Sequence, residues 1–139
     1  MTQAVREIMT CNPVAVAPDT PVCEVAARMR DEDIGAVLVC AGDRLRGLVT
    51  DRDLTVRILA EGGDVTGRTV AEACSSELVT VAPDDDVDRA VQLMRGKALR
   101  RLPVVEDGRV VGIVALGDVA VEYDPESTLG LISAAGPTR

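Results

Sequence analysis

Histidine, phenylalanine and tryptophan are absent from this 139-residue chain, and Tyr123 is its only aromatic side chain. Without imidazole, catalysis by a histidine base and any His-containing zinc site are ruled out. Without aromatic rings there are no stacking platforms for single-stranded nucleic acid. The core must then be built from Val, Ile, Leu, Ala and Met, which favours β-branched strands beneath Leu- and Ala-bearing helices. Cys11, Cys23, Cys40 and Cys74 are widely spaced and form no Cys-x-x-Cys pair, so no zinc site is expected. Cys40, in an apolar run, reads as a small buried hydrophobe. Cys11 and Cys74 lie near the starts of two similar stretches, which leaves a thiol sensor as a second reading. No run approaches the ~18 apolar residues of a membrane span, and Met1 to Met9 lack a signal-peptide apolar core, so a soluble cytoplasmic protein is expected. A formal charge of -8 argues against a nucleic-acid backbone as partner, because that binding draws on neutralised phosphates.

What is present is a repeat. Val5 to Leu54 recurs as Val70 to Val119 at a constant offset of 65 positions, with no gap. The matching residues have physical roles: Val-x-Val-Ala-Pro-Asp at Val14–Asp19 and Val79–Asp84, Met-Arg at Met29-Arg30 and Met94-Arg95, and Gly-apolar-Val-x-x-x-Asp at Gly47–Asp53 and Gly112–Asp118. Halves of about 60 residues are each too small to be comfortably stable alone, so they should share a core about a pseudo-twofold axis, with a cleft between them.

Each copy reads in the same order. A short helical stretch (Gln3–Met9, Val70–Cys74) precedes a short strand (Val14–Val16, Val79–Val81) ended by Pro18 or Pro83. Asp19 or Thr20, and Asp84 or Asp85, can cap the next helix. The helices carry Val22, Val25, Ala26 and Met29, and Val87, Ala90, Val91 and Met94, one apolar face each. Two hairpins follow, Ala36–Cys40 with Leu45–Val49 and Leu102–Val105 with Val110–Val114. Final helices begin after Thr50 and Ala115, the first with Leu54, Ile58 and Leu59 as its buried stripe. The expectation is a mixed α/β (α+β) fold of two pseudo-symmetric strand-helix-strand-strand-helix repeats, residues 3–60 and 70–123, joined by a glycine-rich linker at 61–69. A tail, 124–139, is expected to be partly mobile or docked on a partner subunit.

This order, with Gly47-Leu48-Val49-Thr50-Asp51-Arg52-Asp53 and Arg100-Arg101-Leu102-Pro103-Val104-Val105, closely resembles a tandem pair of cystathionine-β-synthase (CBS) domains, the Bateman module. With no enzyme domain in these residues, the chain looks like the stand-alone bacterial members. The resemblance implies adenosine-type ligands (AMP, ADP or ATP, in some members S-adenosylmethionine or NAD), held in the cleft between repeats, and disk-like homodimers. It implies that Arg100 and Arg101 face the phosphates and that Leu78, Val79 and Leu99 line an adenine pocket.

The residues support that chemistry independently. A ribose offers two neighbouring hydroxyls, and an ionised Asp53 with the Thr50 hydroxyl beside it can bind them. Thr50-x-x-Asp53 is equally a helix-capping box that needs no ligand, and both roles can coexist. Arg52 could reach a phosphate from the same helix start. Planar guanidinium groups at Arg100 and Arg101 suit phosphate oxygens, or they could sit favourably near the carboxyl end of the preceding helix. The offset makes the copies unequal: Thr50 and Asp53 correspond to Ala115 and Asp118, while Arg100 and Arg101 correspond to Gly35 and Ala36. One competent nucleotide site per chain is expected. The competing readings are an enzyme using Asp51-x-Asp53 as a Mg²⁺ pair, which lacks a nucleophile, base and phosphate loop, and a ligand-free structural or thiol-redox-linked dimeric stress protein.

Overall fold

Paired apolar runs build both hairpins, and the computed structural model, which describes residues 3–75 and 78–123, shows how they are capped and flanked. The strands are β1 (Thr10–Cys11), β2 (Ala15–Val16), β3 (Ala36–Ala41), β4 (Arg44–Thr50), β5 (Arg101–Glu106) and β6 (Arg109–Ala115). The helices are α1 (Val22–Glu32), α2 (Asp51–Asp53), α3 (Val87–Lys97) and α4 (Leu116–Tyr123). The tail from residue 124 lies outside the described residues. No helix among the described residues is long and apolar enough to cross a membrane.

Two compact units form. One is Val14–Leu78; the other joins the residues up to Pro13 with those from Val79 onward. In the continuous unit β2 runs parallel to β3, and β3 antiparallel to β4. In the discontinuous unit Val81 bridges Val104 in parallel, β5 pairs antiparallel with β6, and β1 adds to the far side of β6. The 65-residue offset holds in the hydrogen bonding: both hairpins shift register at equivalent places, Val39/Cys40 and Val104/Val105. The second is closed by Asp107 and Gly108, both at positive φ (52° and 80°), as a tight two-residue turn of that hand requires.

Under each sheet lies an aliphatic core. Val22, Val25 and Met29 of α1, spaced three and four apart, meet Val37, Val39 and Val49 of the sheet. Val87, Ala90 and Met94 of α3 stand at equivalent positions, and Ala90 and Met94 meet Leu102, Val104 and Val114. Burying one such side chain contributes about 1.5–3 kcal/mol, so three per helix hold elements that would be marginal alone at this length.

The packing units are not the sequence repeats. The leading segment of the first repeat packs in the unit built mainly by the second repeat, and the reverse. Val5 is fully buried with Val81, Met94 and Val114, and Val70 with Val25, Val37 and Val49. Equivalent backbone bonds fix both: Val5 N–H donates to Asp85 C=O at 2.8 Å and Val70 N–H to Thr20 C=O at 2.8 Å. At the sheet edge, Thr10 pairs with Ile113, and Ser75 bridges Leu48. Those contacts explain two glycines inside strands. A Cβ on Gly47 would stand 2.6 Å from the Ser75 carbonyl oxygen, and one on Gly112 would stand 2.6 Å from Met9 Sδ and 2.9 Å from the Thr10 oxygen. Only a bare backbone lets the exchanged segment lie so close.

Several local expectations are corrected. The leading stretches are single 3₁₀ turns, Val5–Glu7 and Val70–Glu72, each locked by the glutamate at its third residue, because Glu7 and Glu72 accept from the Ala4 and Thr69 amides. The cap of α3 is Asp86, which accepts from Asp88 N, whereas Asp85 accepts from Ala82 N; α1 starts at Pro21 with no side-chain cap. After α2 the chain widens into a π turn, Leu54–Ile58, and then a 3₁₀ turn, Leu59–Glu61. The wider turn rotates the stripe: Ile58 is buried, Leu54 half-buried, and Leu59 is 65% exposed. Ala26 is exposed and Cys40 half-buried.

Candidate functional site

β4 ends at Thr50 in extended conformation (φ -112°, ψ 165°), and the chain turns there into α2. Asp51 N–H donates to the Gly35 carbonyl at 3.0 Å, tying the corner to the neighbouring strand. Thr50 Oγ1 accepts from Asp53 N–H at 3.1 Å, and Asp53 Oδ2 accepts from Thr50 N–H at 2.9 Å. The capping box is therefore formed. It leaves chemistry over, because the Thr50 hydroxyl still has its proton to donate and Asp53 keeps Oδ1. Asp53 is 17% exposed, and Oδ1 faces Arg57 Nε at 3.7 Å. Arg52 is exposed and its side chain pairs with nothing among the described residues; its amide donates to Asp51 Oδ1 at 2.8 Å.

The equivalent corner in the other unit is poorer. Asp118 Oδ2 accepts from Ala115 N–H at 2.8 Å, but Ala115 has no hydroxyl to return the bond. Burial pushes the Asp118 carboxyl above the usual carboxylate range, and the Ala115 hydrogen bond only partly opposes this. In the same unit Leu99 is held at the end of α3, its amide donating to the Met94 carbonyl at 2.9 Å past Ala98 in the left-handed region (φ 55°). Leu99 and Val79 are half-buried and pack on the core. Arg100 is exposed, and its carbonyl accepts from Leu116 N–H at 2.8 Å, the counterpart of the Gly35–Asp51 bond. Arg101, half-buried, opens β5 opposite Ala115. Neither guanidinium has a carboxylate or carbonyl partner among the described residues, although the chain carries 23 acidic residues against 15 basic ones. Leu78, at the end of the other unit, is 37% exposed.

An open apolar groove of about 310 Å³ also lies in the Val14–Leu78 unit, between α1 and the helical stretch after Thr50, walled by Val22, Ala26, Met29, Leu54, Ile58 and Leu59. Asp51 of the corner also lines it, although Thr50 and Asp53 do not, so the groove opens beside the polar corner. Arg57 is the residue that the sequence reading passed over. Its signal was available: a carboxylate and an arginine four positions apart on one helical stretch.

Comparison with known proteins agrees with this architecture. Residues 5–60 and 70–124 each match the CBS domain. The CBS domain-containing protein YhcV of Bacillus subtilis (strain 168) is 39% identical over 128 residues, 91% of this chain and 90% of that one. Hypoxic response protein 1 of Mycobacterium tuberculosis (strain H37Rv) is 35% identical over 130 residues, 93% of this chain and 91% of that one. A crystal structure of Hypoxic Response Protein I, with two coordinated zinc ions, superposes with a TM-score of 0.77 at 33% identity, covering 85% of this chain and 97% of that one. The zinc is that protein's; among the described residues here no three His, Cys, Asp or Glu side chains are gathered as a metal would require. The CBS domain pair of protein MJ0100, crystallised with 5′-methylthioadenosine and S-adenosyl-L-methionine, shares the fold at a TM-score of 0.81 and 22% identity, covering 91% of this chain and all of that one.

Proposed function

This chain belongs to the CBS-domain family, with two copies of the domain in tandem, and from that premise we propose that it is a non-catalytic regulatory module that binds an adenosyl ligand, an adenine nucleotide (AMP, ADP or ATP) foremost. The observation that carries the reading is the Thr50–Asp53 corner, where a completed cap still offers a hydroxyl proton and a second carboxylate oxygen. A ribose diol needs an acceptor of that kind. Arg100 and Arg101, cations without a carboxylate partner among the described residues, supply chemistry for phosphate, and Leu78, Val79 and Leu99 supply apolar surface for a base. Arg52 is a further candidate for phosphate.

Calorimetry with AMP, ATP, S-adenosylmethionine and NAD tests this, with melting as a first screen, since a ligand at 100 times its Kd adds about 2.7 kcal/mol to stability. Asp53→Ala removes charge-assisted bonds worth about 1.5–3 kcal/mol and should weaken AMP roughly 10- to 100-fold. Arg100→Ala and Arg101→Ala should weaken ATP more than adenosine, and more at low salt. Asp118→Ala should change affinity little, with about one nucleotide bound per chain. A melting temperature unmoved by every adenosyl compound, or a greater loss from Asp118→Ala than from Asp53→Ala, refutes the assignment.

The output of such a module is a changed association, and we place it in a homodimer or a regulated partner. Leu59 and Val56, 65% and 48% exposed beside the apolar groove, are surface that a second chain would cover. A monomer mass in light scattering at micromolar concentration, with and without nucleotide, counts against the dimer. The thiol-linked alternative gains nothing from Cys40 or Cys74, whose thiols burial pushes up, away from the thiolate that redox chemistry needs; Cys11 and Cys23 are exposed.

A further inference from the structure

The two carboxylates at the equivalent corners, Asp53 and Asp118, are held by the same backbone bond but have different company. Asp53 spends Oδ2 on the Thr50 amide at 2.9 Å and turns Oδ1 toward Arg57 Nε at 3.7 Å. Asp118 spends Oδ2 on the Ala115 amide at 2.8 Å, and the residue four positions on is Glu122, so the sequence puts no cation there. Arg57 reaches Asp53 although the chain widens into the π turn Leu54–Ile58 between them. From the exchanged leading segment, the half-buried Cys74 thiol lies close enough to feel both the Arg57 charge and the Asp53 charge. Near the carboxylate are thus a cation and a thiol which, raised by burial, stays in its neutral form at neutral pH.

We propose that Arg57 is a positioning residue for ligand recognition: it fixes the orientation of Asp53 Oδ1, the oxygen left free by the capping box, and so makes the first repeat's corner the working ribose acceptor. This rests on the adenosyl-binding reading above. An unanchored carboxylate can rotate its free oxygen and must lose that freedom on binding; one held by two oriented partners has already lost it. Half of Arg57 is exposed, so the pair contributes little to stability as a surface ion pair and its effect belongs to geometry.

A double-mutant cycle on the full chain decides this: wild type, Asp53→Asn, Arg57→Gln and the double variant, each measured for AMP and adenosine binding by calorimetry and for unfolding in urea. Arg57→Gln should weaken AMP and adenosine equally, by roughly threefold to tenfold. In the Asp53→Asn background it should cause no further loss, and Arg57→Lys should recover part of the affinity. Unfolding midpoints should be close to additive, since the half-exposed pair adds little to stability. Equal losses from Arg57→Gln with and without Asp53, no loss from Arg57→Gln in a chain that binds AMP, or a loss confined to AMP would each overturn the proposal, the last because it makes Arg57 a phosphate contact. A wild-type chain that takes no adenosyl compound overturns the reading beneath it instead, and this proposal with it.

Discussion

Replacing Gly47 by alanine adds one methyl group to β4, and the strand's own backbone has no objection, since Gly47 is not among the positive-φ glycines. By propensity alone the change should stabilise by about 0.5–1 kcal/mol. The exchanged segment reverses the sign. The new Cβ would stand 2.6 Å from the Ser75 carbonyl oxygen, 2.9 Å from Cys74 Sγ and 3.3 Å from Cys74 Cβ. A side chain could swing away, but the nearest atom is backbone, and it belongs to a residue that exchanges bonds with Leu48 at 3.0 and 3.4 Å. Relieving the contact means moving Ser75 off the strand. We expect a cost of about 2–3 kcal/mol, the upper part of the range for overpacking, because one or two hydrogen bonds worth about 1 kcal/mol each go with it. At Gly112 the nearest atom is Met9 Sδ, the far part of a flexible side chain, with the Thr10 oxygen at 2.9 Å. Gly112→Ala should cost less, about 1–2 kcal/mol. Gly96, in α3 with nothing within 4 Å of its Cβ position, is the control, and Gly96→Ala should gain about 0.5–1 kcal/mol. Urea unfolding of the three variants reads these as midpoint shifts at constant slope. Gly47→Ala as stable as wild type, or ranking with Gly96→Ala, would refute the reasoning.

Val5→Ala should destabilise by about 1.5–3 kcal/mol despite its place near the chain start, and Val70→Ala by a similar amount, because both valines are fully buried at equivalent positions; a Val5 effect under 0.5 kcal/mol in urea would mean the leading segment is not docked. Ala98 sits at φ 55°, where a Cβ costs about 1–2 kcal/mol and glycine costs no such strain. Allowing for the greater freedom of glycine in the unfolded chain, Ala98→Gly should raise stability by about 0.5–1 kcal/mol, and a lowered melting temperature would contradict this. Because the folded-state carboxyl of Asp118 is raised by burial, the native state holds that proton more tightly than the unfolded one. Its contribution to stability is therefore greatest below the ordinary carboxylate value of about 3.9 and declines as pH rises through the raised one. Asp118→Asn, which can still accept from Ala115 N–H, should gain on wild type at pH 7 and lose that advantage at pH 3; a pH-independent difference would rule the linkage out.

The spacing of three and four in Val22, Val25 and Met29, the paired apolar runs of the hairpins and the offset of 65 were all legible, because each states which residues belong together. The exchange of leading segments was not. The repeat says that Val5 and Val70 are equivalent, but equivalence is silent on which neighbour each one meets, and only the strand glycines at 47 and 112 hinted that another backbone comes close. Leu59 pointed the wrong way because a 3.6-residue period cannot anticipate a π turn. The caps were misplaced by one or two residues, since Pro21 and Asp86 fill positions for which several neighbouring residues qualify on type alone. At the candidate site the corner residues were legible as both cap and acceptor, while Arg57 lies beyond the motif, across a π turn that the sequence does not announce.

The exchanged leading segments make neither repeat severable. A cut in the glycine-bearing stretch at Gly62–Gly63 would give a first half whose sheet has lost Ser75 from its edge and Val70 from its core, and a second half stripped of Val5 and the Thr10–Cys11 strand. Each fragment would expose a trench shaped to the other's missing piece. Such halves should be poorly folded alone and should recombine when mixed, so the two repeats are not modules on a string but mutually dependent ones. Deletions or fusions that respect the repeat boundary would break this protein, whereas breaks between Asn12 and Val14 and near Leu78 would fall where the compact units divide.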